Sequence, residues 1–443
     1  MSLKLRLRSA ILNLLISEGL LNKKRRFAEF RRNLTGRRHV VSVFLELDDP
    51  YSFLLCHYLP EFAVHYDVEL RFYLTEAITG AMRPAPDLYP EYVVNDCRRL
   101  ARELGIPFLD KGMPPVEHRV ALLDALAAMA DKDDFDSELM AAIGVYWRGD
   151  SEGVARRAEG ARSGVAEALL QKNQRRLVGL GHYNTATMHY AGEWYWGVDR
   201  LHYLCKRLDA LGAKRGDGSP PGIESIVQVM QVLLPMKPPV AAKNLPPLEF
   251  FHSFRSPYSY LALRRVMNIA DAFGVEFRIR PVLPMVMRGM QVPKSKLMYI
   301  ATDTSRESRR LNVPFGKIAD PVGAGAERCL AVLQYAIAEK RERDFLLNAG
   351  EAIWSQAIDV ATDEGLRKVT AKSGLFWPDA KAAIENDAWR QIADDNRRSL
   401  MESGSWGVPT VRVGEFVTWG QDRDWLLVRK LEELCDTGDG ILA

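Results

Sequence analysis

From Leu248 the chain reads Leu-Glu-Phe-Phe-His-Ser-Phe, an apolar block of strand length. After it, Leu263, Val266, Met267, Ala270 and Phe273 recur at helical spacing, so the pattern predicts a helix from Pro257 to Phe273. "VEFRIRPV" from Val275 alternates apolar and polar residues and predicts a second strand. A long helical pattern follows, from about Met298 to Ser403. "PTVRV" and "EFVTW" then predict a strand pair turning at Gly414, and Gln421 to Leu434 predicts a closing helix.

The same order occurs earlier, with related residues. Sliding the chain by 207 residues pairs Pro50-Tyr51-Ser52 with Pro257-Tyr258-Ser259, Val68-Glu69 with Val275-Glu276, and Arg71 with Arg278. The match continues through Tyr92 and Tyr299 to "LGIPF" at Leu104 and "LNVPF" at Leu311. Near the ends, a shift of 222 pairs Gly192-Glu193 with Gly414-Glu415, and a shift of 223 pairs "WGVDR" at Trp196 with "WGQDR" at Trp419. A register held this far implies tandem duplication. The expected organisation is a basic N-terminal helical segment (1–38), a first repeat (39–212), a Gly- and Pro-rich linker with a short helix (213–246), and a second repeat (247–443). The element order, β-α-β, helices, β-β-α, places each repeat in the α/β class, as a thioredoxin-like core with a helical insertion.

With 443 residues there is room for two such cores, and a net charge of +3 implies no nucleic-acid partner for the whole chain. Charge is uneven, however: residues 1–38 carry eleven Lys or Arg against Glu18 and Glu29. With Leu14, Leu15, Leu21 and Phe27 at helical spacing, this segment suggests a docked helix, or an interfacial helix on an anionic membrane surface. The five scattered cysteines form no CxxC, which argues against a disulfide framework or zinc site and for a reducing, cytoplasmic location. The histidines show no metal-ligand spacing, and His252 on its strand is expected to be packed.

Candidate chemistry gathers at Ser256, where strand gives way to helix. Serine favours an N-cap and Pro257 suits the first helical position, so a plain cap accounts for this fragment. The same geometry also stabilises an anion such as a thiolate, because a helix N-terminus offers free N–H groups and partial positive charge. "GVPT" at Gly407 to Thr410 opens a strand after the helical insert. In a thioredoxin-like core this is the cis-proline loop, whose backbone at Val408 can pair with a peptide as an added strand. Gln421 and Asp422 open the last helix and can bind an ammonium or amide group, unless Asp422 merely caps that helix.

"FFHSFRSPYSYLALRRV", "YIATDTSRESRRLNVPF", "WGVPTVRVGEF" and "WGQDRDWLL" together resemble the 2-hydroxychromene-2-carboxylate isomerase family and its relatives, the kappa-class glutathione transferases, within the DsbA-like thioredoxin group. The resemblance spans essentially all of repeat two and, more loosely, repeat one. It implies two DsbA-type domains and glutathione as cofactor, with Ser256 activating the thiol. It implies that Val408 and Pro409 hold the glutathione backbone and that Gln421 and Asp422 hold its γ-glutamyl end. Tyr258 and Lys294, with Lys296 as the alternative to Lys294, are the implied substrate contacts. The implied substrate is a small electrophile or conjugated aromatic acid, and the implied chemistry is reversible thiolate addition or transfer rather than dithiol exchange. The segment after "VPF" departs from the family, with Gly323 and Ala324 where Asn and Thr would stand. Repeat one has Asp49 at the serine position and, in this alignment, Thr187 at that of Pro409. This implies loss of thiol chemistry there, a role as built-in partner in an intramolecular pseudo-dimer, or, in a different reaction, Asp49 as a base.

Overall fold

The computed structural model describes residues 3–108, 112–162, 164–218, 220–239 and 245–437. The chain forms two compact units, one of residues 25–231 and one of residues 1–24 with 232–443. Each unit holds one four-stranded sheet. In the first unit these are β1 (His39–Leu45), β2 (Val68–Leu74), β3 (Thr187–Tyr190) and β4 (Glu193–Trp196); in the second, β5 (Leu248–His252), β6 (Phe277–Pro281), β7 (Thr410–Val413) and β8 (Phe416–Trp419). Their orders are β2-β1-β3-β4 and β6-β5-β7-β8. In both, the first strand pairs parallel with the second and antiparallel with the third, and the last two form a hairpin.

All five residues of β5 are buried, which is why it reads as a continuous apolar block rather than an alternation. Its one acid, Glu249, lies between Arg280 of β6 and Arg412 of β7, with Nε–O distances of 2.7 and 2.6 Å. Burial alone would raise that carboxyl, but the two guanidiniums hold it below its ordinary value. The helix Pro257–Phe273 follows β5 and buries Leu263, Val266, Met267, Ala270 and Phe273 against the core of this unit. It ends at Gly274, whose φ of 71° is left-handed. A Cβ there would lie 3.1 Å from Pro238 as well, so glycine ends the helix on two counts.

The expected helical insertion is a series of separate helices: Lys294–Arg310, Ala324–Ala338, Glu342–Ser355, Asp363–Lys372, Trp377–Ile384 and Ala388–Glu402. The closing helix runs Asp424–Thr437, so Gln421 and Asp422 lie in the turn before it rather than at its head.

Two expected boundaries differ. The N-terminal segment 1–38 is not one body: helix Leu3–Ile16 belongs to the unit of the second sheet, while residues from Arg25 onward belong to the other. Ile16 is 6% exposed and its carbonyl accepts a hydrogen bond from Ser305 Oγ at 3.1 Å. Nor is 213–246 a free linker. Its helix Pro221–Val229 buries Ile223 and Ile226 in the first unit, and the Glu61 carboxylate accepts from Gly222 N at 3.1 Å. Residues 240–244 lie outside the described residues. No helix among the described residues is long and apolar enough to cross a membrane.

Since Ile16 inserts into the core cluster of the second unit, Ile16→Ala is expected to destabilise that unit by about 2–5 kcal/mol. Denaturant unfolding followed by tryptophan fluorescence checks this; an unchanged midpoint would show that helix Leu3–Ile16 contributes nothing to that core.

Candidate functional site

A parallel strand pair leaves the carboxyl ends of β5 and β6 at one edge of the sheet, and the helix Pro257–Phe273 starts there. Ser256 is its N-cap, in extended conformation (φ −99°, ψ 110°), and its Oγ accepts from Ser259 N at 3.1 Å. The same hydroxyl donates to the Val408 carbonyl at 3.2 Å. Ser256 is half-buried, and its one side chain joins the helix head to the loop before β7. The Val408–Pro409 peptide bond is cis. Val408 packs on Phe251, Val282 and Leu400, while its N–H has no hydrogen-bond partner among the described residues. The tight approach of this loop explains Gly407, since a Cβ there would lie 2.6 Å from the Trp419 indole nitrogen.

The other expected site residues divide. Tyr258 sits on the first turn of the helix, but its hydroxyl donates to Asp303 Oδ2 at 2.8 Å. Tyr51 makes the matching bond to Asp96 at 2.7 Å in the first unit, which marks the tyrosine as a tether between helices instead of a free substrate contact. Gln421 is 2% exposed, so the expectation of an open carboxamide is corrected. Its Oε1 accepts from Arg265 at 2.9 Å and its Nε2 donates to Glu307 at 2.8 Å, which engages both ends of the amide. Asp424, which starts the closing helix, pairs with Arg265 at 3.3 Å. Asp422 keeps a 24% exposed side chain, beside Arg423.

The two candidate lysines differ in burial. Lys294 is exposed at the first position of helix Lys294–Arg310, whereas Lys296 is half-buried. Burial lowers the Lys296 ammonium to about 8, so this lysine changes charge near neutrality.

Arg288 was not anticipated from sequence. It ends the short turn Met285–Arg288, which follows β6 on the edge that also carries Ser256. Its Nε and Nη2 are buried without hydrogen-bond partners, and burial, with Arg397 nearby, lowers it to about 10. A guanidinium left this way has N–H donors open to an anion. Met287 Sδ accepts from Gly323 N at 3.4 Å, and Arg255 holds Asp320 through two bonds of 2.8 and 2.9 Å. These contacts bring residues 285–288 and 320–323, where the chain departs from the expected Asn-Thr pair, against the segment around Ser256. The one available signal was a basic residue just past a parallel strand, where ligands gather in open α/β sheets. His252 is buried, with its ring lowered to about 3, so it is neutral packing.

In the first unit Asp49 takes the capping role and accepts from Tyr51 N at 3.1 Å. The strand register corrects the expectation for Thr187: Phe44 pairs with Thr187 as Phe251 pairs with Thr410. Gly197 N donates to the Ala186 carbonyl as Gly420 N donates to that of Pro409. Ala186 therefore stands where Pro409 does, and Thr185 where Val408 does. No group of three or more His, Cys, Asp or Glu among the described residues could hold a metal ion.

Residues 247–432 match the family model described as DSBA-like thioredoxin domain. The 2-hydroxychromene-2-carboxylate isomerase of Pseudomonas putida is 24% identical over 196 residues, which are 42% of this chain and 95% of that protein. The protein of the same name from Sphingobium xenophagum is 25% identical over 187 residues, 40% of this chain and 93% of that protein. Among solved structures, a 2-hydroxychromene-2-carboxylate isomerase is similar at 23% identity with a TM-score of 0.38, covering 44% of this chain and 99% of that one. The cytosolic disulfide reductase DsbM of Pseudomonas aeruginosa, solved with GSH, is similar at 18% identity with a TM-score of 0.33, covering 42% and 98%.

Ser256→Ala removes both bonds of the cap and is expected to cost about 1 kcal/mol of stability, against a few tenths for Ser256→Gly. Chemical denaturation of the two variants checks this; equal losses would mean that the hydroxyl is not acting as a cap.

Proposed function

We propose that the DSBA-like thioredoxin domain at residues 247–432 catalyses a glutathione-dependent isomerisation or transfer, with Ser256 stabilising the glutathione thiolate. The observation that carries this reading is the Ser256 hydroxyl, set between the helix-head N–H of Ser259 and the carbonyl of Val408. A sulfur placed there would take the hydroxyl's hydrogen in place of Val408 and would meet the positive end of a 17-residue helix. Lowering a thiol pKa by one unit, worth about 1.4 kcal/mol, raises its reactive fraction at neutral pH nearly tenfold. The unpaired Val408 N–H suits the peptide backbone of glutathione, and Asp422 suits its γ-glutamyl ammonium. With Gln421 already held by Arg265 and Glu307, its part is to fix the turn that presents Asp422.

The substrate class follows from Arg288 and from the relatives' names, which specify a carboxylate. A conjugated aromatic acid would place its carboxylate against the Arg288 guanidinium. The thiolate would add to the conjugated double bond and push its electron pair toward the carbonyl; rotation about the resulting single bond and departure of sulfur would then return glutathione unchanged. Curated relatives named as isomerases at 24–25% identity support this class. In the same reading, the repeated sheet order supports an origin of the chain by tandem duplication.

Calorimetric titration with glutathione tests the proposal. Wild type is expected to bind between micromolar and low millimolar, and Asp422→Ala about tenfold more weakly. Ser256→Ala is expected to bind but to lack the ultraviolet absorbance of an enzyme-bound thiolate. No binding by wild type would defeat the reading.

A second reading concerns helix Glu18–Leu34, where Phe27, Phe30 and Leu34 are 63%, 63% and 75% exposed on one face of a basic helix. That face suits an anionic lipid surface. Sedimentation with phosphatidylserine-containing vesicles, but not with pure phosphatidylcholine, is expected and should fall in Phe27→Ser/Phe30→Ser; equal binding to both vesicles would count against it.

A further inference from the structure

The first unit carries its own polar cavity, independent of the thiol site. It measures about 90 Å³ and is lined by Glu46, Asp48, Asp49, Arg83, Tyr89 and Met113, among others. Glu46 and Asp49 are 7% and 5% exposed. Both reach the hydroxyl of Thr185, Glu46 Oε2 at 2.7 Å and Asp49 Oδ2 at 3.0 Å. A hydroxyl has one hydrogen to give. Thr185 thus shares its one hydrogen between two carboxyl oxygens that both act as acceptors, and two buried acids face each other across it. Like charges this close and this deeply buried favour one proton held by the pair.

The remaining bonds show where that proton is offered. Asp49 Oδ1 accepts from Tyr51 N, and its Oδ2 also accepts from Ser52 Oγ at 3.3 Å. Glu46 Oε2 accepts from Ala77 N at 3.3 Å and from Arg83 at 3.2 Å, besides Thr185. Glu46 Oε1 has no partner among the described residues, although the side chain is more than nine-tenths buried and lines the cavity. One oxygen of a deeply buried carboxyl is thus left for whatever enters. Of the charged neighbours, Asp48 is paired with Arg119 at 2.9 Å, Arg119 also holds Glu76, and Arg83 lies 4.4 Å over the Tyr89 ring. With one proton on the pair, Arg83 balances the remaining charge, so a neutral ligand suits the cavity better than an ion.

We propose that this cavity is a binding site for a small neutral carbonyl or amide group, which accepts a hydrogen bond from protonated Glu46 Oε1. Burial, with Asp48 and Asp49 adding to it against Arg83 and Thr185, raises the Glu46 carboxyl to about 7, and burial raises Asp49 as well. The donor is therefore present below about pH 7 and is lost as pH rises through that value. This site requires no glutathione chemistry and stands or falls separately from it.

Acetamide is the probe, with saturation-transfer NMR on the full chain as readout. Binding at pH 6 is expected to weaken about tenfold per pH unit above the midpoint near 7. Glu46→Gln keeps an N–H donor and is expected to bind with little pH dependence, whereas Glu46→Met removes binding at every pH. Asp49→Asn removes a like charge and is expected to move the midpoint down. Infrared absorption gives a readout that needs no ligand: a neutral carboxylic acid band present at pH 6.5, lost by pH 8.5, and absent in Glu46→Gln. No acetamide binding at pH 6, binding in wild type that ignores pH, or a wild-type spectrum without that band would each overturn the proposal.

Discussion

A helix that begins directly after a buried strand leaves backbone N–H groups inside the protein, and a side chain must accept from them. In this protein that requirement falls on Asp49 and Ser256, and much of each site follows from how it is met. Serine meets it as a neutral acceptor and keeps a hydrogen to give. That hydrogen reaches Val408, so the cap also fixes the distance between helix and cis-proline loop. Thiol chemistry of the kind proposed would need little rearrangement, because the groups that would hold the sulfur already hold each other.

Aspartate meets the same requirement at a higher electrostatic cost, since a buried carboxylate must be compensated. Around Asp49 the compensation comes from Ser52, from Thr185 at the place of Val408, and from Arg83. Glu46 then enters the same network through Thr185. The hydroxyl of Thr185 and the backbone carbonyl of Val408 occupy equivalent places in the two sheets but have opposite tendencies. One can donate to an acid, and the other can only accept from a serine. A single change of cap thus accompanies a reversal of hydrogen-bond direction across the loop.

The sequence was most informative where local pattern and tertiary burial agree. Helix Pro257–Phe273 has the bounds that its spacing predicts, because Pro257 begins it and Gly274 can take the left-handed turn that ends it. The strands were legible for the same reason. The misplacement of Thr187 has a specific cause. Ala191 adopts φ 50° at the hairpin position where Gly414 has φ 54°, and the glycine that follows, Gly192, has φ 85°. Matching glycine to glycine therefore shifts the alignment by one residue, whereas strand pairing keeps it in step. The site residues misjudged from sequence depend on distant partners. Gln421 looked like an open polar group at a helix head, but Arg265, 156 residues away, occupies its oxygen. Lys296 and Lys294 are two residues apart on one helix, and only packing tells them apart. Arg288 stood out only through its missing partners, a property that no spacing encodes.

The same contrast bears on why two related sheets would support different chemistry. Among the described residues of the second unit, a buried cation, Arg288, keeps two guanidinium nitrogens without partners, in a unit whose cap is neutral. In the first, Arg83 is committed to Glu46 and stacked on Tyr89, and the unpaired atom is an acid oxygen. Under the two proposals, a carboxylate-bearing substrate would favour the guanidinium of Arg288, and a neutral carbonyl would favour Glu46 whenever that carboxyl is protonated. Discrimination between the two sites therefore needs no difference in fold. It would follow from which charged group each unit leaves without a partner.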